Sequence, residues 1–167
     1  MGKAIETIVG KLHIVGGGNA SPYLKEIDDL GIRDKCVIHG SKTHSEVLQL
    51  MQRCNLLLFT SVAEGTPHVV LEALANSLPV LCFDTCGQGD CINDHVGIKI
   101  PLTTPDRSVR DFAEKIVYLY HHRERLAAMS ENCRLRAEEL SWDNKAKQMI
   151  GLYEQVRHGA PHKDREL

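Results

Sequence analysis

Short apolar runs alternate with amphipathic stretches along much of the chain. The runs are typical of strands, and the one at 55–60 (NLLLFT) has no polar alternation, as expected for a parallel strand that is buried on both faces. Between the runs, apolar residues recur with helical spacing. Strands are predicted at 11–15, 36–39, 55–60, 79–83 and 97–100, and helices at 21–30, 45–54, 68–76, 106–121, 123–140 and 141–156.

Residues at the helix ends support these boundaries. Ser21 is the predicted N-cap of the first helix, with Pro22 as its first helical residue, and Ser141 is the predicted N-cap of the last helix. The aromatic side chains of the final helices are expected in the core: Phe112, Tyr118, Tyr120, Trp142 and Tyr153.

Strands separated by single helices imply βαβ crossovers and a parallel sheet. The sequence therefore predicts an α/β fold, a Rossmann-like three-layer sandwich in which a parallel sheet is flanked by helices. Sheets of this kind bind ligands outside the carboxyl ends of their strands. Function is expected in the loops at 16–21, 40–44, 60–67 and 84–91.

The composition is that of one ordinary globular domain, and it narrows the set of partners. The chain has 167 residues, 43% of them hydrophobic, and a formal net charge of -2, so neither disorder nor nucleic-acid binding is expected. The longest apolar run, 56–59, is far shorter than the roughly 20 residues that cross a bilayer. We expect a cytoplasmic protein with a lead-in at 1–10, one domain at 11–156 and a polar tail at 157–167.

Six cysteines are spread through a chain that is long enough to form a hydrophobic core without disulfides. We interpret them as reduced thiols. Cys82, Cys86, Cys91 and His95 form a series of potential metal ligands, but their spacing lacks the paired Cys-x2-Cys of zinc sites. Buried and loop thiols are therefore the preferred interpretation, and no metal is predicted.

The first candidate binding loop is Gly16-Gly17-Gly18, which follows a strand and precedes a helix, an arrangement that favours a dinucleotide-binding loop. However, Ser21 replaces the third glycine of the G-x-G-x-x-G pattern, and the second strand, CVIHG, does not end in the acidic residue that holds an adenosine ribose. A loop that needs positive φ is the competing interpretation, in which Gly16 could still line a ligand cleft.

The segment at 60–72 (TSVAEGTPHVVLE) gives a stronger signal. Thr66 is the predicted N-cap of a helix whose first residue is Pro67, so the backbone N–H groups of His68 and Val69 are available to a diphosphate. Glu72 lies about one turn into this helix, at ~1.5 Å rise per residue. A carboxylate at that position reaches two vicinal hydroxyls of a ribose whose phosphates sit at the helix end.

Interpretations without a function exist for these residues too. Glu64, in a loop of small residues, could cap the helix dipole, and the His68 side chain is interpreted as a partly exposed cap. A lone helical glutamate is usually solvated. However, the residues around Glu72 are apolar, namely Val69, Val70, Leu71, Ala73, Leu74 and Ala75. An ionised carboxylate among them needs a partner.

Glu64-x7-Glu72, within EGTPHVVLEALANSLPVL, resembles the E-x7-E signature of retaining GT-B glycosyltransferases of family 4, also called group 1, in their C-terminal donor-binding domain. The resemblance runs from about residue 11 to residue 156. It includes the strand and loop KLHIVGGG, the strands CVIHG and PVLCFD, and the closing helix SWDNKAKQMIGLYEQV. It implies one half of a GT-B fold.

The resemblance also implies a role for each site residue. Glu64 would be the catalytic residue that faces the donor sugar near its anomeric carbon, Glu72 would bind the nucleotide ribose, and Lys42 would border the base. The diphosphate or sugar would lie on the turn formed by Gly65, Thr66, Pro67, His68 and Val69. The donor would be a UDP-, GDP- or ADP-sugar, transferred with retention of configuration and without a cofactor or an obligatory metal.

The sequence departs from the family pattern in two places. The family holds the pyrophosphate with an Arg and a Lys after the first strand of this domain, and the stretch MGKAIETIVG before Lys11 is too short for that segment. The loop FDTCGQGDCINDH also replaces the usual Gly-Gly-x-x-Glu run. We therefore assign no residue of this chain to the roles of the Arg and Lys pair or of the Gly-Gly-x-x-Glu run.

The resemblance further implies an N-terminal acceptor domain that this chain lacks. We therefore expect a fragment that is inactive alone and that contacts a membrane surface only through the complete enzyme. Two other hypotheses stay open: a dinucleotide- or nucleotide-binding Rossmann module without transferase activity, and a sugar- or partner-binding domain that has lost the chemistry.

Overall fold

The structure is a computed structural model, and it describes residues 8–65 and 67–157. Within these ranges there are five strands, β1 (Leu12–Val15), β2 (Cys36–Gly40), β3 (Leu57–Phe59), β4 (Val80–Phe83) and β5 (Gly97–Ile100). The helices are α1 (Ser21–Asp29), α2 (His44–Met51), α3 (His68–Ala75), α4 (Cys86–Cys91), α5 (Pro105–His121), α6 (Arg123–Glu139) and α7 (Trp142–Arg157). A short 3-10 turn, Arg33–Lys35, precedes β2.

All strand pairs are parallel, as predicted. β1 pairs with β2, with Leu12 opposite Cys36, and β4 lies between β3 and β5, with Val80 opposite Leu57 and Gly97. In the described part of the chain these are two hydrogen-bonded pieces, a two-stranded and a three-stranded sheet, rather than the single sheet that was predicted. β1 pairs only with β2, and β3 pairs only with β4, in the described residues, so no backbone hydrogen bonds join the two pieces.

The core surrounds β4, whose residues are all buried. Because side chains alternate along a strand, Val80 and Cys82 pack into one apolar cluster with Leu74 of α3, while Leu81 packs into another with Phe112 of α5. Helices therefore cover both faces of the three-stranded sheet. Burying each of these large side chains stabilises the fold by about 1.5–3 kcal/mol.

Strand β3 corrects the expectation for residues 55–60. It is shorter than predicted, and its residues are half-buried rather than buried on both faces. Leu57 and Phe59 pack on one cluster and Leu58 on the other, so both faces do make apolar contacts. The exposure arises along the edge that faces away from β4.

Two predicted helix starts were wrong by one residue. Ser21 is the first residue of α1 and its N-cap is Ala20, while the Ser21 N–H donates to Asn19 Oδ1 at 3.0 Å. The N-cap of α3 is Pro67, and the helix begins at His68. The predicted cap Ser141 is confirmed, because its Oγ accepts from the N–H of Asn144 at 3.3 Å.

Two further expectations need correction. The segment at 84–91 is not only a loop, since most of it forms α4. Trp142 and Tyr153 are not core residues: they are 78% and 67% exposed, whereas Phe112 is buried as predicted. They lie on α7, which has no buried residue.

Over 8–65 and 67–157, none of the helices combines the length and the apolar character needed to cross a membrane.

Candidate functional site

The loop after β3 packs against the start of α4, at the carboxyl edge of the three-stranded sheet. The N–H of Gly87 donates to the carbonyl oxygen of Glu64 at 3.3 Å. A Cβ on Gly87 would lie 2.0 Å from the carbonyl oxygen of Gly65 and 2.9 Å from Cδ of Pro67. Gly65 and Pro67 of the E-x7-E segment therefore pack directly against the backbone of Gly87, where any side chain would clash.

Gln88 holds the same loop in place from the buried side. Its side chain is fully buried, and its Nε2 donates to the carbonyl oxygen of Ser61 at 3.1 Å and to Oγ1 of Thr85 at 2.9 Å. The sequence analysis missed this residue, since a glutamine in a loop rich in glycine and cysteine gives no signal of burial. Gln88 fixes the position at which the chain leaves β3.

Glu64 stands in that loop as an exposed carboxylate. Its Oε1 accepts a hydrogen bond from Oγ of Ser61 at 3.0 Å. Ser61 thus links the buried amide of Gln88, through its carbonyl, to the carboxylate of Glu64, through its hydroxyl. The loop presents Glu64 to solvent on a supported backbone.

The N-terminus of α3 follows. Pro67 is buried, and its carbonyl accepts from the N–H groups of Val70 at 2.9 Å and Leu71 at 3.3 Å, as an N-cap carbonyl does. His68 and Val69 are the first two residues of the helix, where N–H groups have no acceptor within the helix itself. Thr66, predicted to contribute here, lies outside the described residues. This helix end has the geometry that binds anions.

Glu72 lies one turn into α3, and the structure gives it a partner. Its Oε1 is 3.0 Å from Nε2 of His44, the first residue of α2. The Glu72 side chain is 32% exposed and that of His44 is 68% exposed, so the pair is open to solvent on one side. Sequence reasoning required a partner for Glu72 but did not find His44, which is 28 positions away along the chain.

The start of α2 is a capping box. Oγ1 of Thr43 accepts from the N–H of Glu46, and the Glu46 carboxylate accepts from the N–H of Thr43 at 2.9 Å. Lys42 Nζ is 3.0 Å from the other Glu46 oxygen. The hydrogen bond from the Thr43 backbone, followed by those from Lys42 and the Thr43 hydroxyl, lowers the pKa of Glu46 to about 2. Lys42 is thus engaged by a neighbouring carboxylate.

The glycine loop after β1 lies beside the loop after β2. The N–H of Gly16 donates to the carbonyl oxygen of Gly40 at 3.0 Å, and a Cβ on Gly17 would lie 2.7 Å from Oγ of Ser41. Gly40 itself has φ of +67°, a conformation that favours glycine. The structure therefore brings Gly16 to the segment that contains Lys42, and this segment in turn reaches Glu72 through His44.

The cysteines contribute little to these contacts, in which Sγ of Cys86 donates to the carbonyl oxygen of Val62 at 3.8 Å. All six are free, and burial raises the pKa of Cys82 and of Cys133 to about 12, which keeps both as neutral thiols. Cys86 and Cys91 are the two ends of α4, and His95 is exposed in the turn before β5. Among the residues that the structure describes, no three His, Cys, Asp or Glu side chains come together as a metal site.

The fold and the site define a class of protein: a Rossmann-like α/β domain with a helix N-terminus at the carboxyl edge of its sheet and a carboxylate one turn into that helix. Its family follows from comparison with known proteins. Residues 3–136 match the family described as Glycosyl transferases group 1, and the chain belongs to this family. The resemblance seen in the sequence is confirmed, as is the predicted fold class.

Similar proteins are longer glycosyltransferases. An uncharacterized glycosyltransferase of Methanocaldococcus jannaschii is 26% identical over 157 residues, which cover 92% of this chain and 43% of that protein. The D-inositol 3-phosphate glycosyltransferase of Gordonia bronchialis is 27% identical over 84% of this chain and 31% of its own length. The crystal structure of the pneumococcal O-GlcNAc transferase GtfA in complex with UDP and GlcNAc aligns with a TM-score of 0.72 and 26% identity, over 89% of this chain and 30% of that one. The chain thus spans less than half of each of these proteins.

Proposed function

We propose that this chain is the donor-binding half of a glycosyltransferase that transfers a sugar from a nucleoside diphosphate sugar with retention of configuration. The observation that carries the proposal is the N-terminus of α3, with Glu64 in the loop before it and Glu72 one turn into it. The family supports the reaction class, and the crystal structure of GtfA in complex with UDP and GlcNAc supports a nucleotide ligand.

In this proposal the diphosphate lies on the N–H groups of His68 and Val69. Glu72 is four positions after His68, which places the Glu72 backbone about 6 Å further along the helix at ~1.5 Å rise per residue. That spacing suits a ribose attached to the bound phosphates, with its two hydroxyls donating to the carboxylate. The segment at 40–42 borders the base, and Gly16 lines the cleft beside it.

Glu64 acts at the other end of the donor. It leaves the supported loop on the solvent side, next to the turn of Gly65 and Pro67 that begins α3. A carboxylate there faces a sugar attached to the second phosphate and stabilises positive charge that develops at the anomeric carbon. We propose that the positive end of helix α3, rather than an obligatory metal, is the main group that balances the diphosphate charge.

The acceptor site belongs, in this proposal, to a further domain of a longer enzyme. The shares of the relatives that the chain covers, 43%, 31% and 30%, support a complete enzyme with additional structure. We expect the chain alone to bind donor without transferring sugar. We also propose a cytosolic location, from cysteine usage in a chain that forms its own core.

Calorimetric titration of the chain with UDP-glucose, GDP-mannose, ADP-glucose and NAD tests the proposal. We expect saturable binding of at least one sugar nucleotide, weakened strongly by Glu72→Gln and less by Glu64→Gln, because a distorted ribose contact affects every donor. Glu154→Gln, at an exposed position of α7, is the matched control. Binding of NAD alone, or equal and negligible effects of both site variants, would contradict the proposal.

A further inference from the structure

The proposed donor site is unusually poor in fixed positive charge. Within the described residues its carboxylates are Glu46, Glu64 and Glu72, and the lysine predicted to border the base, Lys42, is paired with Glu46 at 3.0 Å. A diphosphate brought to the N-terminus of α3 adds further negative charge. On α3 and α2 themselves, the groups that can become cationic are the imidazoles of His68 and His44.

Of these two, His44 is placed to act on Glu72. The capping box of Thr43 and Glu46 fixes the first turn of α2, and His44 is the first residue of that turn. A second hydrogen bond, from Nε2 of Gln52 to Oδ1 of Asn76 at 2.9 Å, joins the other ends of α2 and α3. The two helices are therefore joined at the start of α2, where Nε2 of His44 lies at Oε1 of Glu72, and again just after both helices end.

We propose that His44 is a positioning residue for Glu72 and the titratable cation of the donor site. Its Nε2–H occupies one lone pair of Oε1 and orients the carboxylate, which leaves Oε2 and the second lone pair of Oε1 for two vicinal hydroxyls. When protonated, its charge also offsets that of the neighbouring carboxylates. The inference rests on the proposed function and names a regulation of the same site.

The consequence is a pH-dependent donor affinity. The charged and titratable groups that share the elements packed around His44 are Glu72 and His68 on α3, and Lys42 and Glu46 at the start of α2. Because the diphosphate is anionic, donor binding and protonation of His44 favour each other. Affinity is therefore expected to rise as the pH falls from 8 to 6, by roughly two- to fivefold for a partly exposed pair.

The test measures the dissociation constant of a sugar nucleotide by calorimetry between pH 6 and pH 8. UDP-glucose or GDP-mannose, whichever binds more tightly, is used in place of UDP because a terminal phosphate itself titrates near about pH 6. The chain is compared with His44→Gln and His44→Ala. His68→Ala reports on the other imidazole, and His95→Gln is the matched control, since His95 is exposed before β5 at the amino edge of the sheet.

We expect His44→Gln to bind with a flat pH profile at about the affinity that the parent shows at pH 8, because the amide can donate to Glu72 but does not titrate. His44→Ala should be flat and weaker. Thermal melting confirms that the exposed substitutions leave the fold intact. A pH profile that persists in both His44 variants, or that disappears in His68→Ala instead, would overturn the inference.

Failure of the inference is distinguishable from failure of the proposed function. If Glu72→Gln removes sugar-nucleotide binding while the His44 variants behave like the parent at every pH, the function stands and the role of His44 is refuted. If no sugar nucleotide binds the parent chain, both the function and the role of His44 are refuted.

Discussion

Gly87 shows how a single residue controls the shape of the candidate site. It precedes the buried Gln88 in α4, and its Cα faces the carbonyl of Gly65 so closely that a Cβ would lie 2.0 Å from that oxygen. The residue before it, Cys86, has φ of +50°, an uncommon conformation for a residue other than glycine. The close contact between the E-x7-E segment and α4 is thus made by the backbone of Gly65 and Gly87.

Gly87→Ala is therefore expected to displace Gly65 and Pro67, which lie against it. The new methyl group cannot be accommodated by a side-chain rotation, because the obstructing atom is a backbone oxygen. We expect a loss of about 1–3 kcal/mol in the free energy of unfolding, typical of overpacking, and weaker sugar-nucleotide binding. Urea denaturation and calorimetry measure the two effects.

Gly151→Ala provides the comparison for that substitution. Gly151 lies inside α7 with nothing near the position of its Cβ, so alanine should stabilise the helix by up to about 1 kcal/mol and leave binding unchanged. If Gly87→Ala behaves in the same way as Gly151→Ala, the packing of Gly87 against Gly65 does not shape the site.

The sequence identifies Glu64 and Glu72 but not the residues that support them. The two glutamates lie in one local segment, where strand, turn and helix signals fix their relative positions. His44 and Gln88 reach that segment from 28 and 27 positions away along the chain, in contacts that only the packed structure creates. The exposed histidine and the loop glutamine have no local pattern that distinguishes them from ordinary surface residues.

At the scale of elements, helices α3 and α7 contrast most strongly. α3 is short and apolar, with Val70, Ala73 and Leu74 buried, so its position is determined by the core and its polar N-terminus is held at the sheet edge. α7 is twice as long and buries none of its residues. Its exposed apolar side chains are Trp142, Met149, Ile150, Leu152, Tyr153 and Val156.

The expectation of buried aromatic residues failed on α7 for that reason. Apolar periodicity shows which side of a helix is apolar, and Phe112 on α5 follows it into the core. The same periodicity does not show what covers that side, and in the described residues nothing buries Trp142 or Tyr153. Helix existence was predictable from spacing, whereas burial depended on tertiary neighbours.

Removing α7 is expected to change stability little. A chain that ends at Ser141 should keep its free energy of unfolding within about 1 kcal/mol of the parent, because surface changes away from the core have small effects. Phe112→Ala, which empties a buried position on α5, should cost about 3–5 kcal/mol. Chemical denaturation of the three chains tests the contrast, and a loss on truncation comparable to that of Phe112→Ala would show that α7 packs on the domain.

At the scale of the whole molecule, the strands of the described residues form two parallel sheet pieces that differ in burial. All residues of β4 are buried, whereas no residue of β1 or β2 is. A two-stranded sheet alone is marginally stable, so the β1–β2 piece depends on packing by its neighbours in the chain, among which Ile27 of α1 is buried. The alternation of elements along the sequence predicted the parallel pairing, but it could not show that pairing is interrupted between β1 and β3, because strand order is a long-range property.

The two pieces should therefore open independently, and hydrogen exchange read by mass spectrometry can measure this. We expect amides of β1 and β2 to exchange more than about tenfold faster than those of β4, a difference of about 1.4 kcal/mol in opening free energy. A bound sugar nucleotide that contacts both the segment at 40–42 and the start of α3 bridges the pieces, so it should slow exchange in β2 and α2 as well as in α3. Slowing confined to α3 would mean that the ligand binds one piece only, and equal exchange in β2 and β4 would show that the sheet opens as a single unit.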